Sequence, residues 1–237
     1  LCDWSSDVCS SDLVETTQSR VLFVSCEDSG RIVKQRLSRI ADGMMESLAN
    51  VGQSLDILDL SDIDATLYGA IDSYDKTCGA TVRTAELMQL VKSRNYGLII
   101  VDNASETFGG NEINRQEVRG FVRMLRTGLA DISSSVLLLA HINKISATNG
   151  GKEDYSGSTA WHNSVRSRIS LGQGTIKDQL LLTHQKSNYG KLQEPIALMW
   201  NGPCPLPITS EQTKKVINEN NNKKREWLLE AMRQIES

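Results

Sequence analysis

An aspartate closes the apolar run Leu98-Ile99-Ile100-Val101-Asp102, and no other stretch of the chain carries as much chemistry in its placement. A continuous apolar run reads as a strand buried on both faces, as in a parallel α/β sheet. In open α/β sheets ligands bind beyond the carboxyl ends of the strands, so Asp102 falls on the binding edge. A carboxylate there suits Mg²⁺ held through water beside nucleotide phosphates. The plainer alternative, a cap on the following loop, is the less favoured reading after so apolar a run. Two further buried runs end in polar groups. Val21–Ser25 is followed by Cys26-Glu27-Asp28, and Val136–Ala140 by His141, with Asn143 and Lys144 just beyond. Three such strands outline a nucleotide-hydrolysing sheet. Yet the phosphate-cradling loop G-x-x-x-x-G-K-[ST] occurs nowhere in the 237 residues.

The elements that must hold these residues follow from periodicity. Val33, Leu37, Ile40, Met44 and Leu48 recur at helical spacing and predict one amphipathic helix over Arg31–Ala49. Leu55–Leu60 reads as a short strand and Ser61–Gly79 as a polar connection. A helix over Thr81–Ser93 feeds the Asp102 strand, and Ser105–Asn114 is a loop containing Gly109 and Gly110. Arg115–Leu129 is a helix burying Val118, Phe121, Val122 and Leu125. After the His141 strand come a long loop, Ile145–Gly157, and a helix over Ser158–Val165. Strands follow near Arg168–Leu171, Leu180–Gln185 and Ile196–Trp200. Helix–strand alternation ending in hairpins predicts an α/β fold: a mostly parallel sheet flanked by helices, with antiparallel edge strands.

Composition excludes several classes. A net charge of −3 argues against a surface coated in basic charge for nucleic acid, though local basic loops remain compatible with it. Five scattered cysteines without a C-x-x-C pair favour reduced thiols in a cytoplasm over a disulfide framework or a zinc site. No apolar run approaches the roughly 20 residues of a membrane span, and no signal peptide is visible. Residues 1–13 (LCDWSSDVCSSDL) fit no period and read as a non-native or disordered segment. A non-native origin implies that the native sequence begins near Val14 and that whatever preceded it, phosphate loop included, is lost. Residues 14–208 then form the core, and residues 209–237 a charged helical tail with Leu228, Ala231, Met232 and Ile235 on one face.

Five segments in this order (VLFVSCEDSG, YGLIIVDNASETFGGNE, VLLLAHINK, YSGSTAWHNSVR and HQKSNYG) resemble the RecA-like P-loop ATPases, specifically the RepA-type hexameric replicative helicases. The likeness spans Val21–Gly190, with the first strand and its phosphate loop missing. It implies MgATP as cofactor, with Asp102 as the Walker B acid orienting Mg²⁺ through water and Lys144 adding charge near the phosphates. It implies that Glu27 polarises the attacking water, with Asp28 the better candidate for a merely structural acid. His141 is then a polar sensor of the γ-phosphate, and Arg166 an arginine finger reaching a neighbouring subunit's nucleotide. Lys186 takes the related lysine-finger position, while Asn188 stands where some relatives carry a second arginine. The expected partners are other copies of the chain in a ring, a hexamer by resemblance, and single-stranded DNA. The loops Asn103–Asn114 and Ile145–Gly157 fall where related ring helicases line a central channel. Lys144 and Lys152 suit a phosphate backbone, and Phe108 and Tyr155 are the aromatics present. Glu112, Glu153 and Asp154 oppose the contact, and a generic mobile loop is the alternative there. The other reading is an assembly or regulatory module, derived from such an ATPase, that never hydrolyses nucleotide.

Overall fold

The computed structural model describes residues 18–72, 77–128, 134–141 and 159–209, with tail positions 211–213, 215, 222 and 226. Residues 1–13, Asn143, Lys144, the loop Ile145–Gly157 with Lys152 and Tyr155, and most of the tail lie outside the described residues, so expectations made there stand as made. Strand β1 (Val21–Ser25) leads to helix α1 (Gly30–Gly43), helix α2 (Leu48–Ser54) and strand β2 (Leu55–Asp59). Two short strands, β3 (Tyr68–Ala70) and β4 (Cys78–Ala80), precede helix α3 (Val82–Arg94) and strand β5 (Leu98–Asp102). Helices α4 (Ala104–Thr107) and α5 (Arg115–Gly128) then lead to strand β6 (Ser135–Leu138). After helix α6 (Thr159–Ser164) the chain finishes in strands β7 (Ser167–Gln173), β8 (Gln179–Ser187), β9 (Ile196–Asn201) and β10 (Cys204–Pro207).

The strands form a parallel sheet in the order β2-β1-β5-β6 and a separate antiparallel sheet in the order β10-β9-β8-β7. Strand β1 lies between β2 and β5, with Val21 opposite Leu55 and Leu98, and Ser25 opposite Asp59 and Asp102. That register brings three strand ends level along one edge. Beneath them Leu22, Val24, Ile99 and Val101 are buried against Val91, Val118 and Phe121. Such burial is the main stabilising term of a domain this size.

Four expectations change in detail. The single helix expected over Arg31–Ala49 is two. The break falls after Gly43, where Met45 adopts a left-handed φ of 58° and Ser47 starts α2 by accepting the Asn50 N–H. Ser61–Gly79 is not merely a polar connection, because Ala65, Leu67 and Tyr68 join the core and the β3–β4 pair forms there. Ser105–Asn114 is loop only past Phe108. Ala104, Thr107 and Phe108 are buried, and Phe108 stacks on Tyr68 with ring centroids 6.1 Å apart. Phe108 is therefore a core residue with no face left for a nucleic-acid base. Strand β10 went unread because two of its four residues are prolines, which are confined to sheet edges, where β10 lies. Among the described residues no helix is long and apolar enough to cross a membrane.

Candidate active site at the acidic strand ends

The parallel sheet's carboxyl edge is held together by backbone bonds between successive strand ends. Cys26 N–H donates to the Asp102 carbonyl at 2.7 Å, Leu60 N–H to Ser25 at 2.8 Å, and Ala104 N–H to Leu139 at 2.8 Å. The loops leaving β1, β2, β5 and β6 are thereby tied to one another before any side chain is considered. Asp102, the last residue of β5, is half-buried. Burial first, and then the negative charge of Glu27, raise its carboxyl above the ordinary value. His141 and Arg36 pull the other way.

Glu27 and His141 approach across the gap between the β1 and β6 strand ends, Oε1 to Nε2 at 3.6 Å. Both remain open to solvent, with side-chain exposures of 45% and 71%. Asp28 is engaged elsewhere: its carboxylate pairs with Arg36 on α1, and its carbonyl accepts the Ser25 hydroxyl at 2.6 Å. Of the two neighbouring acids, Asp28 braces α1 and Glu27 lies against His141. Asp102, Glu27 and His141 are brought into one electrostatic neighbourhood.

The β5 exit is fixed by a residue whose role the sequence reading passed over. Asn103 is fully buried. Its Oδ1 accepts the N–H groups of Ser105 (2.9 Å) and Glu106 (3.2 Å), capping α4, and its carbonyl accepts the Thr107 hydroxyl at 2.8 Å. Its Nδ2 has no partner among the described residues. An asparagine directly ahead of a small and polar run was a legible cap signature. Behind this turn Phe108, Phe121 and Trp161 pack edge-to-face and tilted, with Phe108–Trp161 centroids 5.4 Å apart. This cluster ties the Asp102 exit to α6. Helix α5 permits it through Gly120, where a Cβ would stand 2.2 Å from the Tyr68 hydroxyl oxygen.

The residues fit a divalent cation held mainly through water. The negative charge of Glu27 helps raise the Asp102 carboxyl, and a cation between the two would relieve that repulsion. Among the described residues no group of three His, Cys, Asp or Glu side chains could enclose a metal. A phosphate cradle is another matter. The N-terminus of α1, which follows β1, is already filled: the Gly30 N–H donates to the Asp59 carboxylate at 2.6 Å. That bond and the Ser61 contacts hold Asp59 below the usual carboxylate range.

Arg166 and Lys186 meet at a second place, where α6 ends and β7 begins. Lys186 Nζ donates to the His162 and Val165 carbonyls, both at 2.8 Å. The Arg166 guanidinium lies 6.0 Å from the centroid of the exposed Tyr189 ring. The charges that Asp102 feels are Glu27, His141, Asp28 and Arg36, so these two basic residues form a separate cluster.

A parallel sheet with acidic strand ends, followed by a block of antiparallel strands, is a RecA-like fold, similar to that of the RadB recombinase. Residues 1–147 match the AAA domain family, and the chain belongs to it. No curated protein matches the chain in sequence. Among solved structures, the RadB recombinase superposes with a TM-score of 0.57 at 13% identity, covering 81% of this chain and 80% of its own. A KaiC-like protein from the archaeon Pyrococcus horikoshii OT3 gives 0.50 at 12% identity, covering 80% and 76%. At such identities the likeness is one of fold.

Proposed function

We propose that this chain is the hydrolytic portion of a RecA-like, Mg²⁺-dependent ATPase of the RepA-type replicative-helicase branch, working at subunit interfaces of a ring on single-stranded DNA. The observation that carries the reading is the convergence of Asp102, Glu27 and His141 at the carboxyl edge of the parallel sheet. When bound, Mg²⁺ neutralises developing phosphate charge. Asp102 orients the waters around that charge. Glu27, exposed and two residues past its strand, accepts the proton of the attacking water. His141 opposite it donates a hydrogen bond to a phosphate oxygen and transmits that contact to the segment beyond. Arg166, outward-facing, stabilises the transition-state charge on a neighbour's nucleotide. Lys144 adds positive charge next to the same phosphates. A hexamer is the ring size that the family resemblance supports.

A second reading is favoured by one observation. With the Gly30 N–H of α1 bonded to Asp59 and no G-x-x-x-x-G-K-[ST] loop in the sequence, no triphosphate cradle is seen among the described residues. A non-hydrolysing assembly or regulatory module fits that equally. Sequencing the coding DNA upstream of Val14 separates the two. An in-frame strand followed by G-x-x-x-x-G-K-[ST] supports the enzyme. A start codon immediately upstream, with no such loop, favours the module.

A further inference from the structure

We propose that Lys186 is a positioning residue that aims Arg166, and not a second cation that reaches across an interface. The inference rests on the reading of Arg166 as the cation acting in trans. Two of the three ammonium donors of Lys186 are committed, to the carbonyls of His162 and Val165 at the C-terminal end of α6. A helix C-terminus leaves its last carbonyls without intrahelical partners and carries partial negative charge, so an ammonium is well placed there. Lys186 is half-buried, whereas Arg166 is exposed. A finger must project outward, and of the two only Arg166 does.

The clasp has three parts, all closing on Val165 and Arg166. Lys186 holds the carbonyl just before Arg166. The Asn188 N–H donates to the carbonyl of Arg166 itself at 3.0 Å. Tyr189, 82% exposed, lays its ring beneath the guanidinium. The β7–β8 ladder supplies the geometry: Arg168 pairs with Lys186 and Ser167 with Ser187, and the register slips between Arg168 and Ile169. Such bulges re-aim side chains. Arg168 is used internally as well, within 3.3 Å of His162 Nδ1. Three basic side chains thus gather at the α6–β7 junction: Lys186 and Arg168 bond back to α6 and its exit, while Arg166 is exposed.

The position of Asn188 now has a reason of its own. It needs only its backbone N–H for this clasp, so the lack of a second arginine there leaves the device intact. The long Lys186 side chain spans from β8 to the end of α6, a reach that Ser or Thr at this position could not make.

Two measurements test the assignment. In the protein translated from the full reading frame, Arg166→Ala is expected to lower kcat by about 10³-fold with KM for ATP little changed. Lys186→Met is expected to lower kcat by up to about 10²-fold, the order of loss that follows from misplacing a reacting group. Lys186→Arg, which keeps donors for the two carbonyls, restores most of it. The double variant Lys186→Met/Arg166→Ala then equals Arg166→Ala alone, since there is nothing left to aim. Multiplied losses in the double variant show that Lys186 touches nucleotide independently and overturn the proposal. If Arg166→Ala leaves turnover intact, the trans-acting reading of Arg166 falls first, and this proposal with it. On the chain itself, amide hydrogen exchange is read at Asn188. Lys186→Met should speed exchange there while leaving Leu180 and Leu182 of β8 protected, as expected of a released clasp in a folded hairpin. Unchanged protection at Asn188 contradicts the clasp whatever the enzyme does.

Discussion

Removing the Trp161 indole should uncouple the Asp102 exit from the helix that presents Arg166. Trp161 is 7% exposed and meets Phe108 at 5.4 Å and 83°, and Phe121 at 6.0 Å and 78°. A buried indole hides roughly 150–250 Å², which at about 25 cal/mol per Å² is an upper bound of about 4–6 kcal/mol. Truncating a core tryptophan typically costs about 3–5 kcal/mol, cavity included. Against a total domain stability of roughly 5–15 kcal/mol, Trp161→Ala is expected to leave the fold marginal. Trp161→Phe, which keeps one ring in the cluster, should cost distinctly less. Urea unfolding followed by far-ultraviolet circular dichroism gives the midpoint and the m value for each variant. A loss below about 1 kcal/mol for Trp161→Ala, at unchanged m, refutes the idea that this cluster fastens α6 onto α5.

Further expectations concern chemistry at named groups. Burial first, and then Asp102, Glu106 and Glu27, push the Cys26 thiol up to about 12, so native Cys26 should resist iodoacetamide at pH 8 and react once unfolded in urea. Equal alkylation rates in the two states, read by peptide mass spectrometry, contradict that. His162 is held below its ordinary 6.5 by burial, then by Arg168 and Lys186. The folded state therefore declines a proton that the unfolded state accepts, and stability present above that value is lost as pH falls through it. The urea midpoint should drop between pH 7.5 and 5.5, and drop less in His162→Gln; equal drops in both proteins refute the assignment. The 237-residue chain should bind MgATP weakly, because its sequence holds no G-x-x-x-x-G-K-[ST] loop and the Gly30 N–H of α1 is already bonded to Asp59. Micromolar affinity in a calorimetric titration is the contrary result.

The strands were legible because each is a short apolar run ended by a polar group, and parallel pairing then made their ends level. Asp102 and Glu27 could be placed on one edge from strand ends alone. What sequence could not show was long-range. In Arg31–Ala49 the apolar spacing continues smoothly through Met44 to Leu48 and masks the Asp42-Gly43 break signal and the Ser47 cap. Leu67 and Tyr68 sit in a short stretch with neither helical nor strand period, and they pack with α5, some 50 positions away. Phe108 looks like a loop aromatic until Phe121 and Trp161 are brought to it. Lys186 was read through resemblance as a projecting cation, whereas its partners, the His162 and Val165 carbonyls, are backbone groups that no side-chain pattern reveals.

The central claim is that Glu27 works within its own subunit and Arg166 on a neighbour's nucleotide, and mixing two inactive variants tests it most directly. In the protein translated from the full reading frame, Glu27→Gln should retain ATP binding and lose turnover, and Arg166→Ala should also lose turnover. In mixed rings some interfaces pair an intact Glu27 with an intact Arg166 from the adjacent subunit. The account predicts that ATP hydrolysis returns in part on mixing, rising and then falling as the ratio of the two variants is varied. Hydrolysis that stays at the level of the separate variants, although mixed oligomers demonstrably form, contradicts it.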